Sequence, residues 1–206
     1  PHIPSEIGID MDQDTFRQVL REVLLDELGI RDVDMGDRWN DVADHIAKRG
    51  ADTTSPFLTL QYLYALGRTR KPEAETLLQA IEARAEDSTQ HDHETWRDVA
   101  LWAAHGIAAH AAEDHEDAIR FLSKALPRLA EAGGSHAQRD FFEQIHLDAL
   151  IQAGHASRAQ QVLEMRRSYD PVGVPLNRML AEAYDKSGLP EQAKAARARS
   201  RLHLAK

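Results

Sequence analysis

The sequence predicts an all-α protein, a right-handed alpha-alpha superhelix of antiparallel helix pairs, and three observations carry that prediction. Apolar residues recur at three- and four-residue steps in segment after segment, the pattern of helices with one buried face. Small residues return at a fixed interval: Gly154 and Gly188, and Ala159 and Ala193, are each 34 residues apart. No run of alternating apolar and polar residues competes as a strand. A repeated two-helix unit must bury one shared face and stack on its neighbours, because neither helix alone hides its apolar stripe.

The clearest copy of the unit runs from Trp102 to Ala125. Trp102, Gly106, Ala118, Leu122 and Ala125 stand at the spacings of a tetratricopeptide repeat, whose period is the interval just noted. Helices approach to about 8 to 10 Å only where the crossing residues are small. Gly106 and Ala118 supply the crossing here, so the helical cost of Gly106, about 0.5 to 1 kcal/mol relative to alanine, makes sense as packing. Longer intervals separate the earlier copies: Ala118 to Ala159 is 41 residues and Ala74 to Ala118 is 44. Seven residues are about two helical turns, which fits hairpins with each helix about one turn longer.

Taken in order, residues 1–13 form a loose opening and Phe16, Val19, Leu20, Val23, Leu24 and Leu28 mark a helix from about Asp14, stopped by Gly29. A turn from Asp32 to Asp37 leads to a second helix with Trp39, Val42, Ala43 and Ile46 inward and Gly50 at its end, so residues 14–54 make an N-terminal hairpin. Ser55-Pro56 starts the next helix, apolar around most of its circumference, and Pro72 starts its partner with Ala74, Leu77, Leu78 and Ile81 inward. The polar stretch from Glu86 to His93 reads as a loop. After the clearest copy, Pro127 removes a hydrogen bond and is expected to bend the last turns of its helix. Ser135 and Gln138 form a capping box for a helix bearing Phe141, Phe142, Ile145 and Leu150, closed by Gly154. Ala159, Val162 and Leu163 mark its partner, and the last pair runs through Leu180, Tyr184, Gly188, Pro190 and Ala193. Residues 55–206 thus read as a repeat array, one continuous helical domain with the hairpin at 14–54.

Composition narrows the function classes. With 42% hydrophobic and 29% charged residues the chain can bury a core, and no stretch reaches the roughly 18 apolar residues of a membrane span. No secretory signal precedes the first helix, which makes the cytoplasm the default location. The chain opens Pro1-His2-Ile3-Pro4, as expected of a processed or cut product of a longer protein. The absence of cysteine removes disulfides, thiolate nucleophiles and cysteine-bound zinc. A net charge of −9 argues against nucleic acid, whose binding rests on phosphate neutralisation. Charge is uneven: residues 1–52 carry −7 and residues 191–206 carry +4, so head-to-tail attraction between copies is one reading and a solvated terminal helix the other.

Gly133-Gly134-Ser135-His136-Ala137-Gln138-Arg139-Asp140, followed by Phe141 and Phe142, resembles the family of tetratricopeptide repeat protein 38 and its bacterial relatives. Gly36-Asp37-Arg38-Trp39 with Asp41-Val42-Ala43, and Phe57 with Tyr64-Ala65-Leu66, resemble the same family in matching order. Together these segments span most of residues 20–190 and look like the C-terminal half of the longer family pattern. The resemblance implies a helical repeat protein without established catalytic activity, supplies no catalytic residues, and implies that this chain is a fragment.

Candidate sites follow from the repeat register. The first helices of successive hairpins should line a concave face, presenting Ala103, Ile107 and His110, then Gln144, Asp148 and Ile151, then Arg178, Glu182 and Asp185, a mixed surface suited to a protein or peptide partner. The alternative is an ordinary solvated inner face. Ser135, His136 and Arg139, at a helix start behind two glycines, offer amides and positive charge to an anion, or simply cap the helix. Eleven histidines invite a metal reading, but no three ligands stand at established spacing, so no metal site and no cofactor is expected. His105 and His146 share a repeat position and are expected to approach each other. Without a Gly-x-Ser-x-Gly elbow or a thiol, hydrolysis has no support. The reading is therefore a non-catalytic scaffold with a protein or peptide partner. Its alternatives are a metal- or anion-dependent enzyme built around His136 and Arg139, and a self-associating structural module.

Overall fold

Four helical hairpins, each closed by the same turn, stack side by side in the computed structural model, which describes residues 38–204. The expected loose segment at 1–13, the helix from Asp14 and the turn at Asp32 to Asp37 lie outside the described residues. Helix α1 (Arg38–Ala47) packs on α2 (Pro56–Arg68), which pairs with α3 (Glu73–Glu86). Helix α4 covers residues 93–111, with a π-helical turn at Trp96–Ala100, and pairs with α5 (His115–Ala125). The last two pairs are α6 (His136–Gln152) with α7 (Ala156–Arg167), and α8 (Val174–Lys186) with α9 (Pro190–Leu204). The chain is all-helical over the described residues.

The shared turn is written in backbone hydrogen bonds. Lys71 N donates to Leu66 O at 2.9 Å, Asp114 N to Ala109 O at 2.9 Å, His155 N to Leu150 O at 2.8 Å and Leu189 N to Tyr184 O at 2.8 Å, the bond that closes a Schellman helix end. One residue before each donor the backbone is left-handed, at Arg70 (φ 55°), Glu113 (φ 64°), Gly154 (φ 84°) and Gly188 (φ 71°). Glycine takes that conformation freely, so a left-handed glycine marks the last two turns, whereas the first two place Arg70 and Glu113 there.

Small residues set the spacing. A Cβ on Gly106 would lie 2.6 Å from Leu122 Cγ, so the α4–α5 crossing exists only because Gly106 has no side chain. Ala118, Ala159 and Ala193 are fully buried at corresponding places on α5, α7 and α9. The extra length of the middle repeats resides in α4, in the 17-residue α6, and in a 3-10 segment, Leu126–Ala132, that follows α5. Pro127 therefore ends the α-helix and starts a tighter one instead of bending it.

First helices also meet one another, α2 with α4, α4 with α6 and α6 with α8. In the first half they go further: the Tyr64 and Phe141 rings stand 5.2 Å apart and the Phe57 and Phe142 rings 6.1 Å apart, joining α2 to α6 across α4. Trp39 adds an edge contact to Tyr64 at 6.2 Å. One apolar cluster thus runs from Trp39 to Ile145, and a second joins Ala118 and Leu147 to Ala196. No helix among the described residues is long and apolar enough to cross a membrane.

Candidate functional site

The aromatic bridge decides the fate of the expected concave face. Ala103, Ile107 and Ile151 are buried, His110 and Gln144 are nearly so, and Asp148 is half-buried. These residues are inside the protein instead of lining an open groove: Ala103 and Ile107 are packed in the cluster that α2 and α6 share with α4, and Ile151 in the second cluster, with Leu163 and Leu180. Arg178 is half-buried farther along the array, while Glu182 is exposed and pairs with Lys186 at 3.1 Å, and Asp185 is exposed and bonds Arg197. His110 and Asp148, both expected to present themselves on the concave face, meet each other instead.

Their contact is the centre of a polar cluster in an otherwise apolar layer. His110 Nε2 lies 2.7 Å from Asp148 Oδ2, and His110 Nδ1 lies 3.2 Å from the Tyr64 hydroxyl oxygen. With the ring neutral, Nε2–H donates to the carboxylate and Nδ1 accepts the tyrosine hydrogen. Gln152 donates to the other carboxylate oxygen at 3.2 Å. His115, the first residue of α5, brings its ring to 5.7 Å from that of His110, and its Nδ1 is buried without a hydrogen-bond partner. Burial pushes the Asp148 carboxyl up, but the His110 hydrogen bond and charge, the Gln152 hydrogen bond and the His115 charge outweigh it and hold the group below its ordinary value. One donor atom from each of His110, His115 and Asp148 lies within 4.8 Å of the others. Two imidazoles and a carboxylate are the ligand types of zinc and its neighbours.

His115 is the member that sequence reasoning missed. No single helix carries the set, since His110 lies in the last turn of α4, His115 begins α5 and Asp148 sits in α6. The signal available was a histidine at each side of a tight turn, together with the inner-layer register of Asp148.

Other expectations resolve differently. Ser135 Oγ accepts from Gln138 N at 3.3 Å and Ser135 N donates to Gln138 Oε1 at 2.8 Å, so the capping box is formed. Arg139 donates to the Gly134 carbonyl and His136 is exposed. Ser135 and Arg139 are thus engaged by the turn itself, and the anion reading gains no assembled pocket from them. His105 and His146 do not pair with each other. His105 lies 3.6 Å from Glu82 and tilts against Phe121 at 5.2 Å, whereas His146 shares a 3.0 Å hydrogen bond with Ser123, so α5 takes both. Burial, then the Arg158 charge, lowers the His146 pKa.

A cleft of about 470 Å³ opens beside the first two turns, lined by Leu63, Ala74, Leu78, Ala108, Arg70 and Glu113. Among the described residues, the large apolar side chains that face water fall within eight residues: Met165 is 63% exposed, Tyr169 87% and Val172 47%.

No protein-family model matches the chain. No solved structure matches it either.

Proposed function

We propose that the chain is a non-catalytic scaffold of the tetratricopeptide type, a right-handed superhelix that binds a protein partner. The observation that carries this reading is the repetition of one turn and one stacking pattern through four successive hairpins. Such arrays present side chains at fixed spacing over a long surface, which suits recognition of an extended segment. The proposal includes kinship with the tetratricopeptide repeat protein 38 family, supported by the octapeptide at Gly133 to Asp140.

The place of contact moves from the inner face to the end of α7. Gln144 and Ile151 are buried, while Met165, Tyr169 and Val172 hold apolar surface in water at a cost of roughly 25 cal/mol per Å² that a partner's apolar segment would recover. Exposed tyrosine and methionine are also the types enriched at interfaces.

Crosslinking and mass spectrometry of the untagged chain in its own cells, compared with a Met165→Ser, Tyr169→Ser variant, tests this. A partner present with the natural chain and lost with the variant, with helical content unchanged, supports the scaffold. An identical partner list removes the α7 surface from the reading. Light scattering of both proteins at low and high salt separates a foreign partner from a second copy, which would appear as a dimer lost in the variant.

A further inference from the structure

We propose that His110, His115 and Asp148 bind a divalent transition-metal ion, zinc fitting best, and that the ion clips the second hairpin to the third.

The geometry supplies the donors. Three ligand atoms from three helices already lie within 4.8 Å of one another. Around a tetrahedral ion with donors at about 2.0 to 2.1 Å the ligand atoms stand about 3.3 Å apart, so the 2.7 Å contact between His110 and Asp148 has to open by roughly half an ångström to admit it. Partial exposure of Asp148, whose side chain is 29% accessible, leaves a side from which an ion enters and a water completes its coordination.

The surroundings orient those donors. Tyr64 holds His110 Nδ1, which fixes the ring and leaves Nε2 directed at the carboxylate. With metal on Nε2, Nδ1 carries the hydrogen and donates to Tyr64, the hydrogen bond that ligand imidazoles ordinarily make through their other nitrogen. Gln152 steadies Asp148 from the same helix. His115 supplies the independent observation: its Nδ1 is buried and has no hydrogen-bond partner, a cost that native proteins rarely bear without a reason. A simple buried His–Asp pair between His110 and Asp148 explains the first two residues and leaves the buried Nδ1 of the third unexplained.

Zinc follows from the donor set. Imidazole and carboxylate without thiolate suit zinc, and two nitrogens with one oxygen are too nitrogen-rich for calcium or magnesium, which take oxygen ligands. The ion would join the α4–α5 turn to the middle of α6.

The test is titration of the untagged, chelator-stripped full chain with zinc sulfate by calorimetry. Saturable one-to-one binding is expected. His115→Ala and Asp148→Asn should each weaken it by about tenfold or more, and Tyr64→Phe by about tenfold, whereas His155→Ala, at the next turn, should leave it unchanged. Absence of saturable binding overturns the proposal, as does binding equal in the natural chain, His115→Ala and Asp148→Asn, which would assign the zinc to surface histidines. Circular dichroism checks that the variants are folded. Cobalt(II) titration of the natural chain decides independently of any variant: ligand-field bands of a four- or five-coordinate nitrogen and oxygen site are expected, and the weak spectrum of six-coordinate aqueous cobalt overturns the assignment.

Discussion

Two residues show how local electrostatics and backbone conformation enter this fold. Glu113 holds φ at 64°, where an L side chain costs about 1 to 2 kcal/mol relative to the right-handed form. Glycine in its place relieves that strain but adds freedom to the unfolded chain, so Glu113→Gly should stabilise by about 0.5 to 1 kcal/mol in urea unfolding. Asp98 accepts two hydrogen bonds from Arg97, at 2.6 and 2.9 Å, and one from Arg128 at 3.4 Å. The Arg97 hydrogen bonds above all, with Arg128 adding to them, lower its pKa to about 2 from an ordinary 3.8. Because the folded value is depressed, the stabilisation is complete above the unfolded value and is lost as pH falls towards about 2. Carbon-detected NMR of the Asp98 carboxyl should give a midpoint near 2, and a midpoint at the ordinary value would show that Arg97 does not hold it.

At the scale of helices, packing depends on what is missing from the side chains at crossings. An alanine methyl at position 106 would meet Leu122 Cγ at 2.6 Å and Leu122 N at 3.1 Å, and the backbone atom cannot rotate away. Overpacking of that kind costs about 1 to 3 kcal/mol, while alanine returns up to about 1 kcal/mol of helix propensity. Gly106→Ala should therefore destabilise by about 1 to 2 kcal/mol, and a neutral or stabilising result would mean that α4 and α5 slide apart freely. Ion pairs add cross-helix definition: Arg166 on α7 bonds both Asp140, at 2.7 Å, and Glu143 on α6. Burial opposes the Arg166 charge, but these two carboxylates more than offset it and raise its pKa.

For the whole molecule, the uneven aromatic content separates a bridged half from a simply stacked half. Helices α2 and α6 are tied across α4 by Tyr64, Phe141, Phe57 and Phe142, whereas among the described residues α8 packs against α7 and part of α6, and α9 packs against α8. In a stacked array each unit draws stability from its neighbours, so a unit with one neighbour opens at lower cost. Amide hydrogen exchange should show residues 174–204 exchanging ahead of residues 56–86 and 101–111. Equal protection throughout would mean that the array opens only as a whole. Zinc, bound between α4, α5 and α6, should add protection to those helices and little to α9.

Over the described residues, the sequence by itself determined the helices and their order. Spacing of Phe57, Leu60, Leu63 and Leu66, the capping box at Ser135, and the glycines at 154 and 188 are local signals, set by neighbours within a turn or two. They located the pairs, and Gly106 was identified as a crossing residue because a helix tolerates glycine poorly without a packing reason. Only the tertiary structure decided which faces stay open. Ile107 and Gln144 had the register of an inner surface, but whether that surface meets water depends on how far α2 and α6 approach across α4, a distance set by Tyr64 meeting Phe141 through folding and not by any spacing along the chain. The meeting of His110, His115 and Asp148 has the same origin: three donors from three helices converge because the hairpins stack, and no periodicity within one helix records that convergence.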